Sequence, residues 1–273
     1  MAYNWNCQYC SYSVWSPNRA SLDADIKSHL FDHNLDKVTK RDFRYLWDCP
    51  YCSEARSTHH KETLITEFQN HLYEHASKRI TNGSHIARRI NGRGNVLVEA
   101  PVNGPSADHA RAHFFAYGDI VVIVTRDPAK RLQLIEEKLT AWPAETVVLT
   151  TKRRPLGEEL DVDFSDISVE IVELDQRLGP DQLGETISRV IDQHNTAGQQ
   201  LSFGFDIIYE IIQSFDLQTS YDFVSRVSSR LQDADAISHF YIKPHPQLES
   251  ILNVLDDQFD LTVTVEDDLL RVS

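Results

Sequence analysis

The 273-residue sequence has no run of 18 or more apolar residues, which argues against a membrane span. Its start, Met1-Ala-Tyr-Asn-Trp-Asn-Cys7, lacks a basic stretch followed by an apolar one. No secretory signal is therefore expected, and the expected compartment is the cytoplasm. Cysteine is scarce: there are four, all within the first 52 residues, in two Cys-x2-Cys pairs. In a reducing compartment such pairs favour metal ligation over disulfides. A basic surplus is also missing, since the net charge is −14. The charge is uneven: residues 1–95 hold 13 Lys+Arg against 10 Asp+Glu (+3), and residues 96–273 hold 14 against 31 (−17). The acidic part reads as a solubility feature, and the split suggests parts with different partners.

What is present is a repeat. Shifted by 42 residues, Trp5 falls on Trp47, Cys7 on Cys49, Tyr9 on Tyr51, Cys10 on Cys52, Leu22 on Leu64, His29 on His71 and His33 on His75. Ile26 falls on Phe68, keeping an apolar residue in place. Two thiolates on a tight turn can converge on one ion, and His-x3-His puts two imidazoles on one helix face. Four ligands close a tetrahedron, so the expectation is two structural zinc ions: Cys7, Cys10, His29 and His33 hold one, and Cys49, Cys52, His71 and His75 the other. Zinc binding of roughly 10–16 kcal/mol would supply the stability so small a core lacks.

The two units resemble Cys2His2 zinc fingers over residues 5–34 and 47–76. Eighteen residues separate the second Cys from the first His, where the DNA-reading family has about twelve, and the longer insert weighs against groove docking by the helix. Ser21 is expected to cap the first finger helix, with Asp23 and Asp25 in its first turn. The second helix region offers His59, His60 and Lys61, then Glu62 and Glu67. Neither displays the Arg and Lys that base reading prefers. The basic residues sit in the connections: Lys40, Arg41 and Arg44 between the fingers, then Lys78, Arg79, Arg88 and Arg89 after them. They read either as a phosphate-tracking surface or as solvated linker charges.

From residue 95 apolar, β-branched runs alternate with helix-like stretches. Strands are expected at 95–100, 119–125, 146–150, 169–173, 200–206, 236–242 and 261–266, and helices at 106–117, 129–142, 181–194, 219–231 and 248–257. This pattern indicates a buried, mostly parallel sheet covered on both faces, closed by a hairpin at Asp267-Asp268 on the sheet edge. The loop Pro101–Ser106 after the first strand occupies the position of a phosphate-binding loop. It has Asn103, Gly104 and Ser106, but no Lys after Gly104, and Pro105 removes a backbone donor. Asp206 ends a strand, as does the Asp that P-loop ATPases use near magnesium; the commoner role there is a cap or turn residue. Asn103, Gly104, Ser106 and Asp206 thus form a vestigial nucleotide site at most. His239 and His245 read as core or surface residues without partners for a metal, and no Ser-His-Asp, Cys-His or paired-carboxylate arrangement is present.

The segments 205–208, 215–223 and Ser238-His239-Phe240 resemble an uncharacterised haloarchaeal family with a degenerate core similar to the RecA and KaiC ATPases, over residues 94–266. The resemblance implies a RecA-like α/β fold and a regulatory role, without an intact Walker A motif. The expected organisation is finger one at 1–36, finger two with a basic connector at 37–78, a linker at 79–94 and the RecA-like domain at 95–273. The expected function is a non-enzymatic, zinc-binding regulatory or interaction protein whose fingers dock a protein partner while the core acts as scaffold, with homo-oligomers allowed. The alternative is a nucleic-acid-binding regulator. An ATP-dependent enzyme would need the phosphate loop that is missing.

Overall fold

A computed structural model describes residues 2–156, 162–175, 177–195 and 198–272. The chain divides into two compact units, Met1–Ser84 and His85–Val272.

The first unit contains β1 (Tyr3–Asn6), β2 (Ser13–Ser16), α1 (Arg19–Asp32), β3 (Val38–Arg41), β4 (Arg44–Asp48), β5 (Ala55–Thr58), α2 (Lys61–Ala76) and β6 (Thr81–Asn82). Each repeat is a hairpin followed by a helix: β1, β2 and α1, then β4, β5 and α2. Each hairpin also gains a third antiparallel strand, β6 on β1 and β3 on β4. The long insert between Cys and His is absorbed by the helices. Leu22, Ile26 and Leu30 on α1, and Leu64, Phe68, Leu72 and Ala76 on α2, recur every four residues and are buried. The α1 cap is Asn18, whose side chain accepts from the Ala20 N–H, and not Ser21. Asn18 opens the helix one turn earlier, which leaves Asp23 and Asp25 beyond the first turn, where the dipole no longer holds them.

The two repeats share one core and are not separate beads. Equivalent residues Tyr9 and Tyr51 stack with centroids 5.6 Å apart, and Phe31 meets Phe68 edge-on at 6.3 Å. Tyr73 on α2 donates to Asp23 on α1 at 2.6 Å and accepts from Arg19 at 3.0 Å.

The second unit contains β7 (Gly94–Glu99), α3 (Pro105–Phe115), β8 (Ile120–Val124), α4 (Pro128–Lys138), β9 (Glu145–Thr150), β10 (Val169–Glu173), α5 (Pro180–His194), β11 (Leu201–Phe205), α6 (Ile208–Ser214), α7 (Leu217–Asp233), β12 (Ile237–Ile242), α8 (Glu249–Leu255), β13 (Leu261–Glu266) and β14 (Leu269–Val272). Its strands run in the order β10-β9-β8-β11-β12-β7-β13-β14. All neighbours from β10 to β13 are parallel, and β14 turns back on β13 through Asp267, whose φ is 51°. The fold is mixed α/β. The residues of β8, Ile-Val-Val-Ile-Val, are all buried, as expected of a parallel strand covered on both faces. Val122 and Val124 join the core under α5, α6 and α7, while Val121 and Ile123 pack with Leu134 and Ile135 of α4. Residues 79–94, expected as a linker, include a 3-10 turn at Ile86–Ile90 whose Ile86 and Ala87 are buried. That turn is locked by ring stacking: His85 lies over His113 at 3.9 Å with an interplanar angle of 4°. The helix α6 was not expected; Asp206-Ile207 starts it without a cap that the sequence displays.

Candidate metal centres and the Asp206 network

The eight Cys and His residues of the repeat stand in two groups, and in each the four ligand atoms lie within 4.8 Å of one another. A hairpin turn supplies the thiols and the C-terminal end of a helix supplies the imidazoles. In the first group Cys7 Sγ approaches His33 Nε2 at 3.6 Å, Cys10 Sγ approaches His29 Nε2 at 3.5 Å, and the two Nε2 atoms are 3.2 Å apart. In the second, Cys49–His75 is 3.6 Å, Cys52–His71 is 3.3 Å and the imidazole pair is again 3.2 Å apart. A tetrahedral ion with bonds of about 2.3 Å to sulfur and about 2.0–2.1 Å to nitrogen sets S···N near about 3.6 Å and N···N near about 3.3 Å. The donors fit such an ion. Backbone amides of Tyr9, Tyr12 and Tyr51 point at Cys7, Cys10 and Cys49 at 3.3–3.4 Å, which supports sulfur as thiolate. Burial first, and then the neighbouring Cys10 and Cys52, raise the Cys7 and Cys49 thiols, and burial with His33 lowers His29, so ligation must displace protons from sulfur and meets a neutral imidazole at position 29.

The repeated Trp explains itself. Trp47 stacks on His71 at 5.0 Å and Trp5 meets His29 edge-on at 5.8 Å, so each buried indole backs a ligand. The outer shells differ at one equivalent position. Glu54 sits 3.4 Å from His71 Nδ1, while its counterpart Tyr12 stacks on His29 at 4.0 Å and donates its hydroxyl to Asp25.

The basic residues do not form a single element. Lys40 and Arg41 on β3 and Arg44 on β4 are exposed around a two-residue turn of Asp42 and Phe43, where Asp42 has φ 48°. Phe43 is 85% exposed, and its carbonyl meets His59 Nδ1 at 3.0 Å. Lys78 and Arg79 follow α2, and Arg79 lies over the Trp5 ring at 5.7 Å. Arg88 and Arg89 are exposed but belong to the second unit.

Asp206 is where the sequence reading fell short. It is 5% exposed, and its carboxylate is enclosed by arginines. Arg111 on α3 donates through Nε and Nη2 to Oδ1 at 2.9 and 2.7 Å, and Arg131 on α4 donates through Nε to Oδ2 at 2.5 Å. Both guanidinium groups also reach Asp108 Oδ1, at 2.9 and 3.2 Å. Arg111 lies 4.1 Å over the Tyr241 ring. Burial pushes the Asp206 carboxyl up, but the two arginines outweigh it and hold it below the usual carboxylate range. The loop, which has no Lys after Gly104, receives two cations from α4: Lys130 donates to the Asn103 carbonyl at 3.1 Å, and Arg131 to the Asn103 side chain at 3.5 Å. Asn103 and Asp206 therefore share Arg131. Gly104 is the residue before α3, and Ser106 lies in that helix's first turn, half-buried. A charged side chain within the apolar face of an expected helix was the available signal, at Arg111 between Ala110 and Phe114 and at Arg131 beside Leu132.

Residues 93–265 match the family described as "Family of unknown function (DUF7504)". The chain belongs to that family. The Cys and His groups lie outside the matched region, and the Asp206 network lies inside it. No curated protein matches the chain. A solved structure from Pyrococcus horikoshii OT3, titled as a structural study of Project ID PH0250, is 11% identical with a TM-score of 0.43, covering 64% of this chain and 83% of that one. Likeness at that level carries no argument. Among the described residues no helix is long and apolar enough to cross a membrane.

Proposed function

We propose that the protein is a non-enzymatic regulatory or interaction protein: two zinc-built modules dock a protein partner, and a RecA-like core that has given up nucleotide chemistry serves as scaffold. The observation that carries this reading is the enclosure of Asp206. A strand-end Asp that supports magnesium must leave an oxygen toward the ion, whereas here Oδ1 and Oδ2 both face guanidinium groups. The phosphate cradle also lacks its Lys, because Pro105 follows Gly104 where that cation would stand. Zinc is the assignment because two thiolates and two imidazoles in a closed tetrahedron suit it, and no position is left for substrate. We assign the core as RecA-like because β7, followed by a loop and α3, lies inside a parallel sheet between β12 and β13. The test is ATP hydrolysis by metal-loaded protein with magnesium, beside capture of partners from the native host with and without nuclease. No turnover, with partners that survive nuclease, is the expected result. Phosphate release that Asp206→Ala eliminates would overturn it.

A second reading, nucleic-acid binding by the fingers, is favoured by the β3–β4 turn. Phe43 projects among Lys40, Arg41 and Arg44, the combination of an aromatic ring and cations that stacks unpaired bases. Phe43→Ala should then weaken single-strand binding by roughly 1–3 kcal/mol, and affinity should fall steeply with salt. Strong site discrimination at high salt would instead restore the helices as readers.

A further inference from the structure

The second unit has a crevice that neither the metal groups nor the Asp206 network uses. It has a volume of about 740 Å³ and lies beyond the carboxyl ends of β8, β9 and β10, between the start of α5 and the length of α6. Cavities of roughly 300–1,000 Å³ with apolar walls and a few converging polar groups are the usual size and kind for small ligands, and the carboxyl ends of parallel strands are their usual place. The floor is apolar, made by Val124, Leu149, Ile211 and Phe215. Asp206 faces α3 and α4, while the crevice is walled by α5 and α6. Alternate residues of β8 pack toward these two sides, so an occupant of the crevice would leave the arginine network in place.

The rim is unlike the rest of the unit. Arg126, Lys152 and Arg177 line the crevice, and an adjoining recess shares Lys152 and Arg177 and adds Arg153. Against these four cations stand three carboxylates, Asp175, Glu210 and Glu173, a balance of +1. Residues 96–273 together hold 14 basic against 31 acidic residues, −17. The carboxylates are also partly engaged: Asp175 accepts the Arg177 backbone N–H at 2.9 Å, and Glu210 lies 4.0 Å from Arg126. A local cationic mouth on an acidic surface focuses anions into it.

We propose that this crevice binds a small organic anion, its apolar body against Val124, Leu149, Ile211 and Phe215 and its acidic head group at Lys152 and Arg177. Such a ligand would give the non-enzymatic core a small-molecule input without any nucleotide chemistry. The site stands independently of what the fingers bind.

The probe is 8-anilinonaphthalene-1-sulfonate, an anion with an apolar body, titrated by fluorescence against the full-length, metal-loaded chain, with the uncharged N-phenyl-1-naphthylamine beside it. The expected result is one saturable site whose affinity for the sulfonate falls about tenfold or more in a Lys152→Glu/Arg177→Glu variant and also falls with added salt. The uncharged probe should bind more weakly than the sulfonate and be indifferent to that variant. Circular dichroism and the thermal midpoint check that the variant is folded; Lys152→Gln, a milder change at an exposed residue, should lose affinity in the same direction. Unsaturable binding, equal affinity for the two probes, or sulfonate binding unchanged in both variants would each overturn the proposal.

Discussion

The two units hold their ionisable side chains by opposite means. In the first, two thiols and two imidazoles per repeat converge at a partly exposed surface, and their only common partner can be an ion from outside. In the second, Asp206, Arg111, Arg131 and Asp108 converge in the interior and satisfy one another. The first arrangement is incomplete without a ligand. The second is complete without one, and for that reason is a poor place for magnesium. Geometry that resembles a binding site therefore has to be judged by whether its donors and acceptors are already used.

This contrast can be broken at several points. The largest effect is expected at the metal. Cys49→Ala should remove one of two ions and unfold the second repeat, because roughly 10–16 kcal/mol of apparent binding goes with it. Elemental analysis and hydrogen exchange over residues 47–76 would read the loss. Since Tyr51 stacks on Tyr9 and Phe68 meets Phe31 edge-on, protection in α1 should fall as well, a coupling that independent fingers would not show.

Next in size is Asp206→Ala, which strands Arg111 and Arg131 in the interior. Removing one partner of a buried ionic group costs about 3–5 kcal/mol, so the thermal midpoint of the second unit should drop while metal content stays unchanged. A variant that melts as the parent does would mean that the arginines find other acceptors.

Acid should act on the second unit well before the carboxylates titrate. Burial lowers His85 to about 4 and His239 to about 3. Between those values and the ordinary histidine range the unfolded chain binds more protons than the folded one. Stability is then full above about pH 6.5 and falls as the pH drops toward 4, by on the order of 3 kcal/mol for each residue. Denaturant unfolding at pH 7 and pH 5 measures it, and His239→Phe should flatten the slope. The depressed Asp206 carboxyl contributes stability that is present above the unfolded value and lost only at lower pH still.

The smallest expected effect separates the two metal groups. Glu54 beside His71 Nδ1 orients and strengthens that ligand, whereas Tyr12 at the equivalent position cannot. Glu54→Gln should weaken the second site by about tenfold, the low end for such outer partners because Glu54 is exposed, and leave the first unaltered. Chelator competition on each site resolves the two.

How much of this was legible in the sequence differs between the units for a physical reason. Metal ligation imposes fixed short spacings, so the eight residues that stand together in two groups could be named from the 42-residue repeat. The buried strands could be placed because continuous β-branched runs are short and bounded; 169–173 and 261–266 coincide with β10 and β13. What stayed hidden depends on long-range meeting. Arg111, Arg131 and Asp206 are far apart in the chain, and a buried arginine in an amphipathic helix looks like a solvated one until its acceptor is known. The short α6 carries no cap to announce it, and Phe43 is one phenylalanine among twelve until the turn exposes it.

The most direct test of the contrast is metal content combined with exchange. Protein prepared without chelator should carry two zinc ions per chain, and stripping them should erase amide protection in α1 and α2 while β7, β8, β11 and β12 remain protected. Protein that holds no metal, or whose α1 and α2 stay protected after chelation, would contradict the account.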